Sequence, residues 1–250
     1  MNELLAEFIG TALLVTLGNG AVANVVLKGT KGHNGGWIVI SLGWGLAVFV
    51  AVAVAGPVSG AHINPAVTIG LALSGLFPWS NVALFIVAQV LGGMGGAFIV
   101  WLFYRDHFNQ TGDKDVILAC YATTPAIRKT FSNMVSEFIG TFILVFVILY
   151  IAEPALVLPG EVYAKIGMGT LGALPVALLV TSIGLSLGGT TGYAINPARD
   201  LGPRIIHSLL PMTAKGGSDW QYAWIPVTGP LLGASTAALF YLILTIWTGT

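Results

Sequence analysis

The sequence predicts an all-α membrane protein, built from six transmembrane helices and two half-helices in an inverted repeat. Three observations lead there. First, 56% of the 250 residues are hydrophobic and only 8% charged, with a mean hydropathy of +0.87, against roughly a quarter charged in an ordinary soluble domain. Second, the charges avoid long stretches: residues 32 to 104 hold no Asp, Glu, Lys or Arg, and residues 166 to 198 and 220 to 250 repeat the pattern. Third, the chain resembles itself. Ser136-Glu137-Phe138-Ile139-Gly140-Thr141 echoes Ala6-Glu7-Phe8-Ile9-Gly10-Thr11, an offset of 130, and Ile195-Asn196-Pro197-Ala198 matches Ile63-Asn64-Pro65-Ala66, an offset of 132.

A helix needs about 20 predominantly apolar residues to cross the hydrocarbon core. Six runs have that length, at about 4–27, 37–56, 82–104, 133–152, 168–188 and 223–247. The N-terminal Met1-Asn2-Glu3-Leu4-Leu5 lacks the basic segment of a secretory signal, so the first run is expected to stay in the mature protein. Two further apolar stretches, Pro65 to Phe77 and Pro197 to Leu210, are too short; at about 1.5 Å per residue each covers only half the core. Trp37, Trp79, Trp101, Tyr104, Trp224 and Trp247 stand near span ends, where interfacial aromatics belong. Glycines four apart, at Gly92 and Gly96, Gly184 and Gly188, and Gly229 and Gly233, are read as sites where helix backbones approach.

The chain is therefore read as a single domain of two repeat halves, 1–104 and 133–250, joined by a polar loop over 105–132. Each half holds three full spans, an odd number, so the second half enters the membrane from the opposite side. Short, interrupted segments at corresponding places of inverted repeats point to a permeation site near the bilayer midplane. Irregular backbone is tolerated at that depth only where protein buries it or a watery cavity faces it. Here that backbone is Gly56 to Asn64 and Gly188 to Asn196, two loops that dip in from opposite faces and hand over to half-helices whose N-termini meet in the middle.

Several function classes are excluded. Ten basic residues balance ten acidic ones, so no polycationic footprint for nucleic acid exists. The lone Cys120 forms no disulfide framework and is read as a small buried hydrophobe. There is no His-Glu-x-x-His helix and no convincing Ser-His or paired-carboxylate site, so no catalytic residue, metal ligand or cofactor is assigned. A proton- or ion-coupled transporter shares the broken-helix architecture. It is disfavoured because no Asp, Glu or His pair is placed to trade protons at the centre.

One Asn-Pro pair would be an ordinary helix start, with Asn as N-cap and Pro at the first helical position. Two copies at matching repeat positions, each opening a half-length helix at membrane depth, read differently. Asn64 and Asn196 can cap their helices through the side-chain oxygen and still present amide N–H groups to the space between them. With two positive helix ends beside them, they make a neutral but electropositive midpoint. A permeating oxygen that accepts from both amides has its own hydrogens turned away along the pore, which interrupts a proton wire, and Arg199 adds to the barrier against cations. The implied chemistry is passage of uncharged molecules.

The chain resembles the aquaporin family from end to end, and within it the glycerol facilitators, the aquaglyceroporins. The resemblance rests on Ser59-Gly60-Ala61-His62-Ile63-Asn64-Pro65-Ala66-Val67-Thr68 and Gly192-Tyr193-Ala194-Ile195-Asn196-Pro197-Ala198-Arg199-Asp200. It extends to Tyr104, Asp200, Arg204, Pro230 and Leu231, all of the facilitator type. It implies a passive channel, in a multi-pass cell-membrane protein, for glycerol and other small neutral solutes with some water. It also implies a homotetramer with one pore per subunit. Undissociated lactic acid, dihydroxyacetone, urea and hydrogen peroxide are alternative solutes of the same class, as is a pore mainly for water.

The resemblance further places a selectivity filter at Trp44, Gly184, Tyr193 and Arg199. Two aromatic faces would take the C–H edge of a polyol, Arg199 would donate to its hydroxyls, and Gly184, where water-selective relatives carry His, would leave room for the carbon chain. Tyr193 departs from the Phe of better-known bacterial facilitators; its hydroxyl either narrows the slot or supplies an extra polar contact. Intramembrane carboxylates are functional candidates by default. By resemblance Glu7 and Glu137 instead accept hydrogen bonds from the dipping loops and turn the carbonyls of Gly60, Ala61, His62 and Ile63, and of Gly192, Tyr193, Ala194 and Ile195, toward the pore. His62 and Asp200 read as bracing residues. The family topology puts both termini in the cytoplasm. The outward loops then carry Lys28, Lys31, Arg105, Lys114, Arg128, Lys129 and Lys215 against Lys165 inside, the reverse of the usual bias.

Overall fold

The structure is a computed structural model that describes residues 1–151, 155–158, 162–165 and 167–248. Helix α1 (Glu3–Val26) is capped by Asn2, whose side chain accepts from Leu5 N at 2.8 Å. Helix α2 (Trp37–Ser59) carries Pro57 in its last turn and ends at Gly60, which is left-handed with φ 81°. The half-helix α3 (Pro65–Leu73) follows, then α4 (Trp79–Gln110), the short α5 (Lys114–Ala119) and α6 (Thr130–Tyr150). A 3-10 turn, Gly169–Ala173, leads into α7 (Leu174–Leu187), which completes the fifth span. The second half-helix, α8 (Pro197–Leu209), and α9 (Ile225–Thr248) close the chain.

The fold is helical, with six helices among the described residues long and apolar enough to cross a membrane, but it departs from expectation in four places. A two-stranded antiparallel hairpin, β1 (Ala155–Leu158) with β2 (Val162–Lys165), occupies the connection between α6 and α7. The Lys165 side chain and the expected span end at 152 lie outside the described residues. Helix α3 stops at Leu73 rather than Phe77, because Ser74 and the left-handed Gly75 (φ 74°) turn the chain while Leu76 and Phe77 remain apolar. Helix α2 continues to Ser59, so the first dipping loop is Gly60 to Asn64 rather than Gly56 to Asn64. Helix α4 passes the expected end at Tyr104, kinks there (φ −104°, ψ 16°) and runs on to Gln110.

The 105–132 segment is consequently no simple linker. It contains the end of α4, all of α5, and the buried run Cys120, Tyr121, Ala122 and Thr123. Cys120 is fully buried, its Sγ donates to Val116 O at 3.4 Å, and burial pushes its thiol well above the ordinary range. It stays a protonated, unreactive thiol.

The helices pack as two related sets. Helix α1 lies against α2 and α4, and α6 lies against α9 and α7. Each half-helix packs mainly on the other half's third span, α3 on α9 and α8 on α4, while α2 meets α7 between the halves. In lipid no hydrophobic force drives helices together, so close backbone approach and polar contacts do. Glycines supply the approach: a Cβ at Gly92 would lie 2.3 Å from Phe8 O, and one at Gly233 would lie 2.3 Å from Phe138 O. Large apolar side chains such as Leu84, Val87, Leu91 and Leu102 point outward, where lipid tails solvate them. Gly92→Leu is therefore expected to separate α1 from α4 and eliminate the monodisperse species on size-exclusion chromatography in detergent. A variant that elutes and melts like the parent would refute the close-approach account.

Candidate functional site

The two dipping loops have the same backbone. Gly60, Ala61 and Ile63 have φ of 81°, 51° and 43°, and Gly192, Tyr193 and Ile195 have φ of 77°, 39° and 43°. Left-handed φ at a non-glycine residue costs of order 1–2 kcal/mol, so such runs need support. A buried carboxylate supplies it in each half. Glu7 Oε1 accepts from His62 N at 2.9 Å and Oε2 from Ile63 N at 2.7 Å; Glu137 Oε1 accepts from Ala194 N at 3.0 Å and Oε2 from Ile195 N at 2.9 Å. With N–H groups drawn back to the carboxylates, the carbonyls face away from them. Among the described residues no protein donor reaches the carbonyl oxygens of Gly60, Ala61, His62, Gly192, Tyr193 or Ala194.

At the midpoint the half-helices meet head to head. Asn64 Oδ1 accepts from Ala66 N at 2.8 Å, and Asn196 Oδ1 from Ala198 N at 3.0 Å, capping α3 and α8. The amide nitrogens reach across the repeat: Asn64 Nδ2 donates to Ile195 O and Asn196 Nδ2 to Ile63 O, both at 2.8 Å. An amide carries two hydrogens, so one on each Asn is committed to the opposite loop and one is left. The expectation of two fully free amide groups is corrected to that extent. The carbonyls of Ile63 and Ile195 are likewise partly used.

These groups line a cavity of about 570 Å³ that also touches Trp44, Tyr193, Arg199, Leu14, Val48, Val67 and Val180. Of the expected backbone positions, Gly60, Ala61, His62, Ile63, Ala194 and Ile195 lie on its wall; Gly192 and Gly184 do not. Gly184 stands behind Tyr193, where a Cβ would meet Tyr193 Cζ and Oη at 2.8 Å. The space left by the missing side chain is thus filled by the tyrosine ring and is not open to a solute. Gly188, four residues on, faces Tyr193 Cδ1 at 2.5 Å by the same measure. This glycine pair seats a ring, whereas those of α4 and α9 seat helix backbones.

Trp44 is only 3% exposed. Its ring lies against the backbone of Gly18, whose Cβ position is 2.3 Å from Trp44 Cε3, and the Arg199 guanidinium sits 4.2 Å from its ring centroid. The expectation of two aromatic faces turned to the solute is corrected here: one face of Trp44 is taken by Arg199 in a cation–π contact, and the residue has little surface left for the lumen. That contact uses no oxygen acceptor, and among the described residues none accepts from the Arg199 guanidinium. A buried cation with unused donors therefore faces the cavity.

Asp200 does not pair with its neighbour Arg199. It pairs with Arg204, one helical turn on, at 2.8 Å from Nε to Oδ1 and 3.0 Å from Nη2 to Oδ2. The remaining guanidinium hydrogens go to Thr123 O, Ser218 O and Asp219 O, and Asp200 Oδ2 also accepts from Thr123 N and Oγ1. Both side chains have no exposed surface. The pair ties α8 to the 105–132 and 211–224 segments, which Arg128 and Asp219 join again at the surface.

The profile of the major intrinsic protein family matches residues 1–241. The chain belongs to that family. Among relatives of this major intrinsic protein, the glycerol uptake facilitator of Streptococcus pneumoniae is 53% identical over 241 residues, 96% of this chain and 98% of the relative. The probable glycerol uptake facilitator of Thermotoga maritima has the same identity and coverage. Among solved structures, the aquaglyceroporin from Plasmodium falciparum aligns with a TM-score of 0.78 at 33% identity, over 96% of this chain and 94% of that one. Family and spans make the chain a multi-pass membrane protein.

In this major intrinsic protein the sequence reading missed several supporting groups. Ser59 Oγ donates to Glu7 and Thr191 Oγ1 to Glu137, each at 2.7 Å. They stand at the same 132-residue offset as the Asn pair, so aligning the halves would have found them. Gln89 Nε2 donates to Glu7 Oε2 at 2.7 Å and Thr68 Oγ1 at 2.9 Å, and no motif marks it. His62 is braced by Thr68 at 3.1 Å and by Phe77 and Phe85. His207 is buried with Nδ1 at 2.8 Å from Ser218 Oγ.

Proposed function

We propose that this major intrinsic protein is a passive channel, not an enzyme, for glycerol and other small neutral solutes with some water. One pore runs through each chain, built jointly by the halves 1–104 and 133–250, and the subunits form a homotetramer in the cell membrane. The observation that carries the reading is Arg199: a guanidinium buried against Trp44, with no protein oxygen accepting from it among the described residues, on the wall of the cavity that Asn64 and Asn196 also line. A buried cation without an acceptor is costly, and a polyol hydroxyl or water in the pore supplies one. The unused carbonyls of Gly60, Ala61, His62 and Ala194 continue as acceptors along the same wall. A fixed positive charge and two helix N-termini repel cations and protons. Names of relatives at 53% identity over 96% of the chain supply glycerol as the solute.

The test is light scattering of proteoliposomes under osmotic gradients of glycerol, urea and lactic acid beside water. Glycerol flux well above that of empty liposomes is expected. Arg199→Ala is expected to relax the solute ranking and admit cations, seen as a pH-gradient leak with a fluorescent dye. An unchanged ranking with an intact proton barrier would reject the filter assignment, and glycerol accumulation against its gradient would reject a passive channel.

A further inference from the structure

Tyr193 is boxed between two helices. On α7 its ring rests on Gly184 and Gly188, and on α2 it meets Trp37, ring centroids 5.9 Å apart at 72°. Trp37 is itself pinned, donating from Nε1 to Gly184 O at 2.8 Å. The tyrosine hydroxyl is fully buried although its ring lines the cavity, so the hydroxyl does not reach the lumen. Beside it lies Ser41, also fully buried: the Cβ position of Gly184 is 2.8 Å from Tyr193 Oη and 3.2 Å from Ser41 Cβ. Neither Tyr193 Oη nor Ser41 Oγ has a hydrogen-bond partner within bonding geometry among the described residues. Two such hydroxyls, each costly to bury alone, crowd the place that a side chain at Gly184 would take.

We propose that the Tyr193 hydroxyl is a wedge and not a solute contact: paired with Ser41 in the gap between α2 and α7, it sets how far the ring stands into the pore. Ser41 and Trp37 are then positioning residues for the size limit of the channel. The ring cannot fall back toward α7 because its hydroxyl end already lies against Gly184, 2.8 Å from where a Cβ would stand. It cannot swing along α7 because Gly188 and Trp37 close that side. The slot between Tyr193 and Arg199 is accordingly narrower than the same slot would be with a ring lacking the hydroxyl. The channel selects by solute cross-section at Tyr193 and by hydrogen bonding at Arg199. This inference rests on the assignment of Tyr193 and Arg199 to the filter.

The test compares permeabilities of glycerol, xylitol and 1,3-propanediol in proteoliposomes, for variants that elute with the parent from size-exclusion chromatography. Tyr193→Phe is expected to let the ring recede and raise the xylitol-to-glycerol ratio about tenfold, the low end for a methylene-sized change in an apolar slot. The glycerol-to-propanediol ratio, which reads hydroxyl recognition, is expected to hold. Adding Gly184→Ala to Tyr193→Phe puts a Cβ 2.8 Å from the place of the ring's Cζ, which blocks its retreat, and is expected to restore the parent's size ratio. Ser41→Ala shifts it in the same direction as Tyr193→Phe, by less. An unchanged size ratio in Tyr193→Phe, or a selective loss of glycerol against propanediol, would overturn the wedge. The filter assignment fails separately, if Arg199→Ala leaves every ratio as in the parent.

Discussion

Replacing Glu137 with Ala is expected to abolish glycerol flux and lower the thermal stability of the purified protein by about 3 kcal/mol or more. Three donors lose their acceptor at once: Ala194 N, Ile195 N and Thr191 Oγ1, all buried. Each orphaned buried donor costs about 1–3 kcal/mol, and the left-handed residues Tyr193 and Ile195 lose the clamp that holds their backbone. Glu137→Gln keeps one acceptor oxygen but points an NH₂ at a backbone N–H, so it should fall between Ala and the parent. Fluorescence-detected melting in detergent, with liposome flux alongside, would check both. A Glu137→Ala protein that melts with the parent would show that the loop conformation does not depend on the carboxylate. The same change at Glu7 should cost more, because Gln89 and Ser59 donate there as well as two backbone groups.

Asp200→Ala is expected to be about as damaging, by a different route. It leaves Arg204 fully buried and without a counter-charge, and breaking a buried pair from one side typically costs about 3–5 kcal/mol. The Thr123 N–H and hydroxyl lose their acceptor together with it. Removing both charges should be milder than removing one: Asp200→Ala combined with Arg204→Met takes away the uncompensated cation. The double variant is expected to recover part of the lost melting temperature. If it melts below the single variant, the damage lies in the loop contacts of Arg204 to Ser218 and Asp219 rather than in unpaired charge.

What could be read from the sequence follows from which force wrote each feature. The spans were legible because lipid excludes charge, and a run such as 32 to 104 without Asp, Glu, Lys or Arg has no other explanation. The paired Asn and the paired Glu were legible because duplication printed them twice. Helix ends were not, since hydropathy reports the surrounding solvent while helices end by hydrogen bonding. Arg105 and Asp106 leave the apolar run yet continue α4, and Leu76 and Phe77 prolong an apolar run after α3 has ended. The seating of Tyr193 was hidden for another reason. It depends on residues from α2, α7 and the second dipping loop that no motif links, and Gly184 has no side chain with which to announce that its space is taken. Gln89 was hidden because it stands in one half only.

The reciprocal bonds from Asn64 to Ile195 and from Asn196 to Ile63 bear on regulation. They lock the two halves into a closed loop of contacts at the narrow centre of the bilayer. Moving either half-helix aside would break both crossing bonds and strain the carboxylate clamp of its loop together. Such a joint is a poor place for a valve, and any control over flow is best exerted at the mouths, away from these bonds.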